Sequence, residues 1–325
     1  MIELIRPDTN FDFIGKWKIC MAVSAAIILI GIAAIPIRGL RWGIDFAGGA
    51  ELLVRFDPSV AADEGKVRAA VESAGVSEPS VVRYGEEGGS FLIRFSGATG
   101  SAEGENQAQF VDHLKNVLGE KVGTVSIDRV DFVGPKVGAE LRRGGIKAFA
   151  IAFLLIGLYV ASRFAWAYAP GCVVALVHDV LVTSAIWVVL GQSFDLQILA
   201  ALLAIVGYSL NDTIIIYDRI REVMGVHTAK DLPEVINRSV NQTLSRTLLT
   251  SSLTMVTVLA LLFLGGSVIR PFAGAMTIGI VVGSYSSIYI AAPIMLILST
   301  DADAKKGAPA KRAGKPGRKQ AKARA

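Results

Sequence analysis

Charge, cysteine and histidine are all scarce in this sequence, and each shortage excludes something. Only 19% of the 325 residues are Asp, Glu, Lys or Arg, against roughly 25% in an ordinary soluble domain. With 52% apolar residues and a mean hydropathy of +0.51, the chain reads as a membrane protein before any motif is considered. Cys20 and Cys172, the 2 cysteines, both lie inside apolar runs. They read as small packing residues and exclude a disulfide scaffold or a thiolate metal site. The 3 histidines form no Ser-His-Asp or metal-ligand grouping, so no cofactor, no metal and no enzymatic centre is expected.

What charge there is gathers in blocks, and 6 apolar runs lie between them. The spans are expected at about Trp17–Ile37, Gly145–Ser162, Tyr168–Leu190, Leu196–Tyr217, Thr247–Leu264 and Phe272–Leu298, each near the roughly 20 residues a helix needs to cross a bilayer. The first run is longer than the apolar core of a secretory signal. Its leader carries Glu3, Asp8 and Asp12, so it reads as a retained anchor. Lys and Arg concentrate in the leader (Arg6, Lys16, Lys18), at Arg163, and between spans four and five (Arg219, Arg221, Lys230, Arg238, Arg246). The positive-inside rule then places both termini in the cytoplasm and the long block after span one on the opposite, outer side of the membrane.

That block alternates in period 2 at Ala50–Phe56, Ser80–Tyr84, Ser90–Phe95 and Thr124–Val133. Helix-forming stretches at Val60–Ala74 and Glu105–Leu118 interrupt it. The order β-α-β-β-α-β is the ferredoxin-like pattern. The fold class expected is therefore an α-helical polytopic membrane protein with six transmembrane helices and a small α+β ferredoxin-like periplasmic domain. The division expected is 1–16 cytoplasmic, 17–37 first span, 38–144 periplasmic domain, 145–298 remaining spans with a cytoplasmic segment 218–246, and 299–325 a basic tail. The tail has no apolar face to bury and reads as disordered, solvated and topology-fixing, with binding to anionic membrane lipid or ribosomal RNA as the functional alternative and no specific nucleic acid for a folded domain. His113, beside Asp112 and Lys115, reads as plain helix surface.

Two glycine motifs frame the block. Gly43-Ile44-Asp45-Phe46-Ala47-Gly48-Gly49 enters it and Val133-Gly134-Pro135-Lys136-Val137-Gly138 leaves it. Glycine permits φ > 0 and close backbone approach, and proline stiffens one point. Gly43, Gly48, Gly49, Gly134, Pro135 and Gly138 are therefore candidate hinge positions, with ordinary boundary turns as the alternative. Neither motif is a phosphate loop, because no Walker lysine follows.

The sharpest signal is Asn211-Asp212 inside span four. A carboxylate at bilayer depth costs about 3 kcal/mol on insertion scales, so it is a functional candidate by default. Such an acid persists by being protonated, by meeting a cation or by facing water, and alternation among these states carries protons. Arg246 is the candidate cation at the start of span five. Thr247, Thr250, Ser251, Thr254 and Thr257 follow it at three- and four-residue spacing, forming a hydroxyl stripe that suits either helix packing or a wet path. His178 and Asp179 near the middle of span three are further polar support. In span six, Gly279, Gly283, Ser284, Ser286 and Ser287 read as a close-packing face, with a partner membrane subunit as the expected neighbour.

Taken together, Gly43–Gly49, Val133–Gly138, His178-Asp179, Gly207–Glu222, Asn241–Ser251 and Gly283–Ser287 resemble the SecF family, the smaller subunit of the SecDF protein-export complex. The likeness runs from about Asn10 to Leu298. It departs mildly at Ala47 and Ser284, where the family more often has threonine. It implies assembly with SecD, the SecYEG channel and small accessory membrane proteins, preproteins as substrates, and kinship with resistance-nodulation-division transporters. It also implies use of the proton-motive force, with the family's proton-responsive acid and arginine falling on Asp212 and Arg246.

Other classes remain in view. A small-molecule or lipid exporter of the same superfamily would need larger paired heads and twice the spans. An intramembrane aspartyl protease would need a catalytic pair, for which only Asp179 and Asp212 are available. A purely structural assembly subunit would need no proton chemistry at all.

Overall fold

The computed structural model describes residues 9–76, 79–84, 89–96, 105–164, 166, 168–224 and 232–307. In a bilayer each backbone N–H and C=O must pair within its own segment, so long apolar runs become helices. Among the described residues, the 6 helices long and apolar enough to span are α1 (Trp17–Arg38), α5 (Pro135–Arg163), α6 (Ala169–Val189), α7 (Leu196–Met224), α8 (Leu232–Leu264) and a sixth built in pieces. This last one joins α9 (Gly266–Ser286), a π turn (Ser287–Ala291) and α10 (Ala292–Gly307). The chain is a multi-pass membrane protein with a small antiparallel sheet on one side.

Several helices outrun their expected bounds. The proline of the second glycine motif starts α5 at its first position, with Gly134 as N-cap in extended geometry; the missing N–H of proline costs nothing there. α8 begins at Leu232, so Arg246 lies inside a 33-residue helix rather than at its start. α10 continues to Gly307, past the expected tail boundary at 299. The rest of the basic tail, residues 308–325, lies outside the described residues, as do residues 1–8 of the leader, 225–231 of the α7–α8 link and most of the expected turn Gly85–Gly89.

α6, α7 and the α9 piece are the inner helices, while α1, α5 and α8 present most of their surface outward. Glycines set the inner contacts. A Cβ on Gly283 would stand 2.9 Å from the Ser209 Cβ of α7, and one on Gly279 would collide with Ile205. The small-residue face of α9 thus packs against α7 of the same chain, not against a partner subunit.

The sheet unit contains α2 (Ile44–Ala47), β1 (Gly49–Phe56), α3 (Glu64–Ser73), β2 (Ser80–Arg83), β3 (Ser90–Ser96), α4 (Glu105–Lys121) and β4 (Val125–Val133). Strand order is β2-β3-β1-β4, and the neighbouring pairs are antiparallel. This is the split β-α-β arrangement of the ferredoxin-like pattern. Alternation along β1 turns Ala50, Leu52, Val54 and Phe56 inward, where they meet Val67 and Val71 of α3 and Leu114 and Leu118 of α4. His113 is exposed on α4.

Candidate functional site

The inward face of α7 carries Ala201, Leu202, Ile205, Ser209, Asp212, Thr213 and Ile216, so helical spacing places the acid on the same stripe as the core aliphatics. Asp212 is only 1% exposed. Its Oδ1 accepts one long bond from Asn211 Nδ2 at 3.5 Å. Its Oδ2 has no hydrogen-bond partner, and the buried hydroxyls of Thr213 and, across on α8, Thr247 share that condition. Buried polar atoms are normally satisfied, and orphans of this kind mark places where water, a proton or another side chain belongs.

Arg246 does not pair with that oxygen. It is exposed and lines an open cleft of about 630 Å³ at one end of α5, α7 and α8, together with Arg163, Asp218, Arg219, Glu222 and Gln242. Arg219 donates to Gln242 Oε1 at 2.7 Å and to Glu222 Oε2 at 2.5 Å. Arg163 stands 3.7 Å from Asp218. Beside this cleft, Asn241 ties the leader to α8. Its Oδ1 accepts from Phe11 N and its Nδ2 donates to Phe11 O, both at 2.9 Å.

The hydroxyl stripe divides by role. Thr250, Thr254 and Thr257 donate back to carbonyls of their own helix, Arg246 O, Thr250 O and Leu253 O respectively, a local habit of hydroxyls in helices. Ser251 reaches outward, sharing a 2.7 Å bond with Ser284 of α9 and accepting from Tyr208 of α7 at 2.9 Å. Of this stripe, Thr247 alone keeps its hydroxyl unspent.

His178 and Asp179 form a second polar centre. Asp179 is wholly buried, and its Oδ2 accepts from Ser209 Oγ at 2.5 Å and from Ser286 Oγ at 2.9 Å. Its Oδ1 lies 3.0 Å from His178 Nδ1. The imidazole stacks on Tyr285 of α9, at 6.2 Å between centroids, and that phenol donates to Cys20 O of α1 at 2.5 Å. One carboxylate therefore binds α6, α7 and α9 together. Ser209, one helical turn before Asp212, links the two centres, yet by sequence alone it was one more small residue.

The glycine motifs interlock. Gly48 has φ +77°, and a Cβ there would lie 2.9 Å from Pro135 Cα; a Cβ on Gly138 would meet Phe46 O at 2.9 Å. The first motif also grips the α6–α7 link. Gly43 N donates to Phe194 O at 2.6 Å, Phe194 N to Arg41 O at 2.8 Å, and Leu196 N to Asp45 Oδ2 at 3.0 Å. Asp195 in this link accepts from Ile198 N at 3.0 Å. Burial pushes its carboxyl above the usual range despite that bond and the nearby Arg94 guanidinium, and the Asp45 carboxylate pushes the same way. Asp45 and Asp195 carry no polar signal in the sequence that separates them from other loop acids, and only the fold brings them together.

Comparison with known proteins gives a consistent set of likenesses. Residues 113–301 match the family model described as protein export membrane protein SecD/SecF, C-terminal, and residues 33–60 match the SecD/SecF GG motif. The chain is 38% identical over 310 residues to the protein translocase subunit SecF of Calditerrivibrio nitroreducens, covering 92% of this chain and 97% of that one. It is 38% identical over 313 residues to its counterpart in Rhodothermus marinus, covering 93% and 97%. The crystal structure of SecDF, a translocon-associated membrane protein from Thermus thermophilus, superposes with a TM-score of 0.77 at 34% identity. That match covers 91% of this chain and 39% of the solved one, so the present chain spans well under half of the SecDF polypeptide.

Proposed function

The chain belongs to the SecF family of protein translocase subunits, and on that premise we propose that it works with a SecD partner to draw on the proton-motive force during preprotein export. In this reading the assembly stands beside a SecYEG channel and small accessory membrane proteins in a bacterial inner membrane. Both termini are cytoplasmic, the sheet unit is periplasmic, and preproteins are the substrate.

The observation that carries the reading is Asp212 itself, a carboxylate 1% exposed on a spanning helix with one oxygen left unpartnered, as are the buried hydroxyls of Thr213, next to it in sequence, and of Thr247 on α8. A structural carboxylate resembles Asp179, with its acceptor sites filled; Asp212 is set up instead to gain and lose a partner. Asp212 and Arg246 serve as the proton relay. Asn211, His178, Asp179, Thr247, Thr250, Ser251 and Thr254 support it, Thr247 with a buried hydroxyl still unspent. Arg246, exposed on this chain, is free to meet an acid brought by SecD. Protons drive a movement of the sheet unit about the junction of Gly43, Gly48, Gly49, Gly134, Pro135 and Gly138. One proton falling through 100 mV supplies about 2.3 kcal/mol. Reversing a 1:99 equilibrium needs about 5.5 kcal/mol. Each stroke therefore uses two or more protons, shared with acids of SecD.

The test is preprotein export in inverted vesicles carrying Asp212→Asn, with copurification of SecD as the assembly control. Loss of the proton-driven component with SecD still bound is the expected result. Normal export would make Asp212 a structural residue and the chain an assembly subunit.

A further inference from the structure

We propose that Asp45 is a positioning residue that fastens the sheet unit to the start of α7, the helix that carries Asp212, so that the two move together. The inference rests on the proton reading above only for what the coupling is used for. The tether itself stands on geometry.

A helix begins with four backbone N–H groups that its own turns cannot satisfy. On α7 these are shared between two sources. Asp195, the residue immediately before the helix, accepts from Ile198 N, whereas Leu196 N donates to Asp45 Oδ2 at 3.0 Å, across a separation of 151 residues. Asp45 belongs to α2, between the end of α1 and β1, so the cap joins the base of the sheet unit directly to a spanning helix. The attachment is reinforced by the two backbone bonds between the Arg41–Gly43 segment and Phe194. Trp42 adds to it, with its ring 5.9 Å from Phe46 and 6.2 Å from Phe194, under the Arg142 guanidinium of α5 at 5.7 Å. Gly43 is required for this approach, because a Cβ there would sit 2.8 Å from the Asp195 Cβ and 2.9 Å from Phe194 O.

The lever is long. Sixteen residues separate Leu196 from Asp212, about 24 Å of continuous helix at 1.5 Å per residue, and helices of this kind transmit displacement as rods. A rearrangement around Asp212 that shifts or turns α7 is delivered to the sheet unit through the Asp45 cap, and a load on the sheet unit returns by the same route. Asp45 is thus distinct from the relay residues: it handles no proton and holds the helix that does.

The experiment uses the full-length chain with its SecD partner in lipid nanodiscs, in a Cys20→Ser, Cys172→Ala background. Spin labels placed by His113→Cys on α4 and Gln192→Cys in the α6–α7 link report the separation of the sheet unit from the start of α7. With Asp45 intact the distance distribution is narrow. Asp45→Ala broadens it to at least twice the width, and Asp45→Asn, which caps a helix about as well as aspartate, keeps it narrow. An unchanged distribution in Asp45→Ala, or an Asp45→Asn distribution as broad as that of the alanine variant, overturns the tether. A second label pair, His113→Cys with Leu264→Cys on α8, is read with and without Asp212→Asn. A shift on neutralising Asp212 that disappears with Asp45→Ala is the expected coupling, and a shift that survives Asp45→Ala refutes it. No shift while Asp45 is intact counts against the proton reading alone, because the first pair has already decided the tether.

Discussion

Adding one methyl group to α9 should disturb the polar centre of the bundle. In Gly283→Ala the new Cβ would lie 2.9 Å from the Ser209 Cβ and 3.3 Å from its Oγ. Carbon atoms pack at about 3.5 Å or more, so α7 and α9 must part by roughly 0.6 Å at that level. Overpacking of a well-filled interior costs about 1–3 kcal/mol. The same displacement strains the Ser209–Asp179 and Ser286–Asp179 bonds, which together bridge α7 and α9 through Asp179 of α6. Reversible unfolding of the full chain in mixed micelles, followed as a function of the denaturing detergent, measures the loss. The companion variant is Ser209→Gly, which removes the atom that the methyl group strikes. By itself it is destabilising, since it deletes a hydrogen bond to a carboxylate worth about 1.5–3 kcal/mol and adds a helical glycine costing about 1 kcal/mol. In the double variant the collision is gone, so the combined loss should fall short of the sum of the two single losses by about 1–3 kcal/mol. Strict additivity, or a Gly283→Ala chain as stable as the parent, would refute the account of close packing between these helices.

Asp179→Ala removes the shared acceptor of Ser209, Ser286 and His178, and each buried donor left without a partner costs about 1–3 kcal/mol; Asp179→Asn, which keeps one carbonyl oxygen, should lose clearly less in the same unfolding assay. In the sheet unit, Asp63 caps α3 by accepting from Lys66 N at 3.0 Å, and that backbone bond holds its carboxyl below the usual carboxylate range. The capped state is therefore favoured above the unfolded carboxylate pKa and is lost as pH falls through the lower folded value. Hydrogen exchange along Glu64–Ser73 should quicken in that acid range, and Asp63→Asn should remove the pH dependence; an acid response unchanged in Asp63→Asn would sink this assignment.

The spans were legible because hydropathy has no competitor in a bilayer, and the sheet unit because alternation at Ala50–Phe56 and Ser90–Phe95 is a one-face signal that tertiary packing did not overrule. Helix ends were less so. Outside the hydrocarbon region polar residues extend a helix as readily as apolar ones, so α8 reaches back to Leu232 and Arg246 falls within it rather than opening it. The Gly134-Pro135 step did carry the signal for the early start of α5, since proline is favoured at a first helical position. Asp212 was visible because a lone acid in an apolar run is costly, but its surroundings were not. Which face of α9 meets which helix is decided by shape, so the Gly279 and Gly283 stripe could not reveal α7 as its neighbour, nor Ser209 and Ser286 announce their bonds to Asp179. The Asp45 cap joins residues too far apart in sequence for any local pattern to pair them.

The π turn at Ser287–Ala291 has a consequence for how this chain tolerates changes in length. A π turn closes its hydrogen-bonded ring over one more residue than an α turn, so it holds a surplus residue without disturbing the helical phase on either side. Deleting a single residue from within it would leave regular α-helix and preserve the facing of both Gly283 and Met295, whereas the same deletion elsewhere in a span rotates everything beyond it by about 100°. The cost of that deletion is local: Tyr217, whose phenol donates to Ala291 O at 3.1 Å, would lose the carbonyl that the wide turn leaves open to it. The sixth span thus carries its own allowance for insertion and deletion, located where a buried tyrosine keeps it in register.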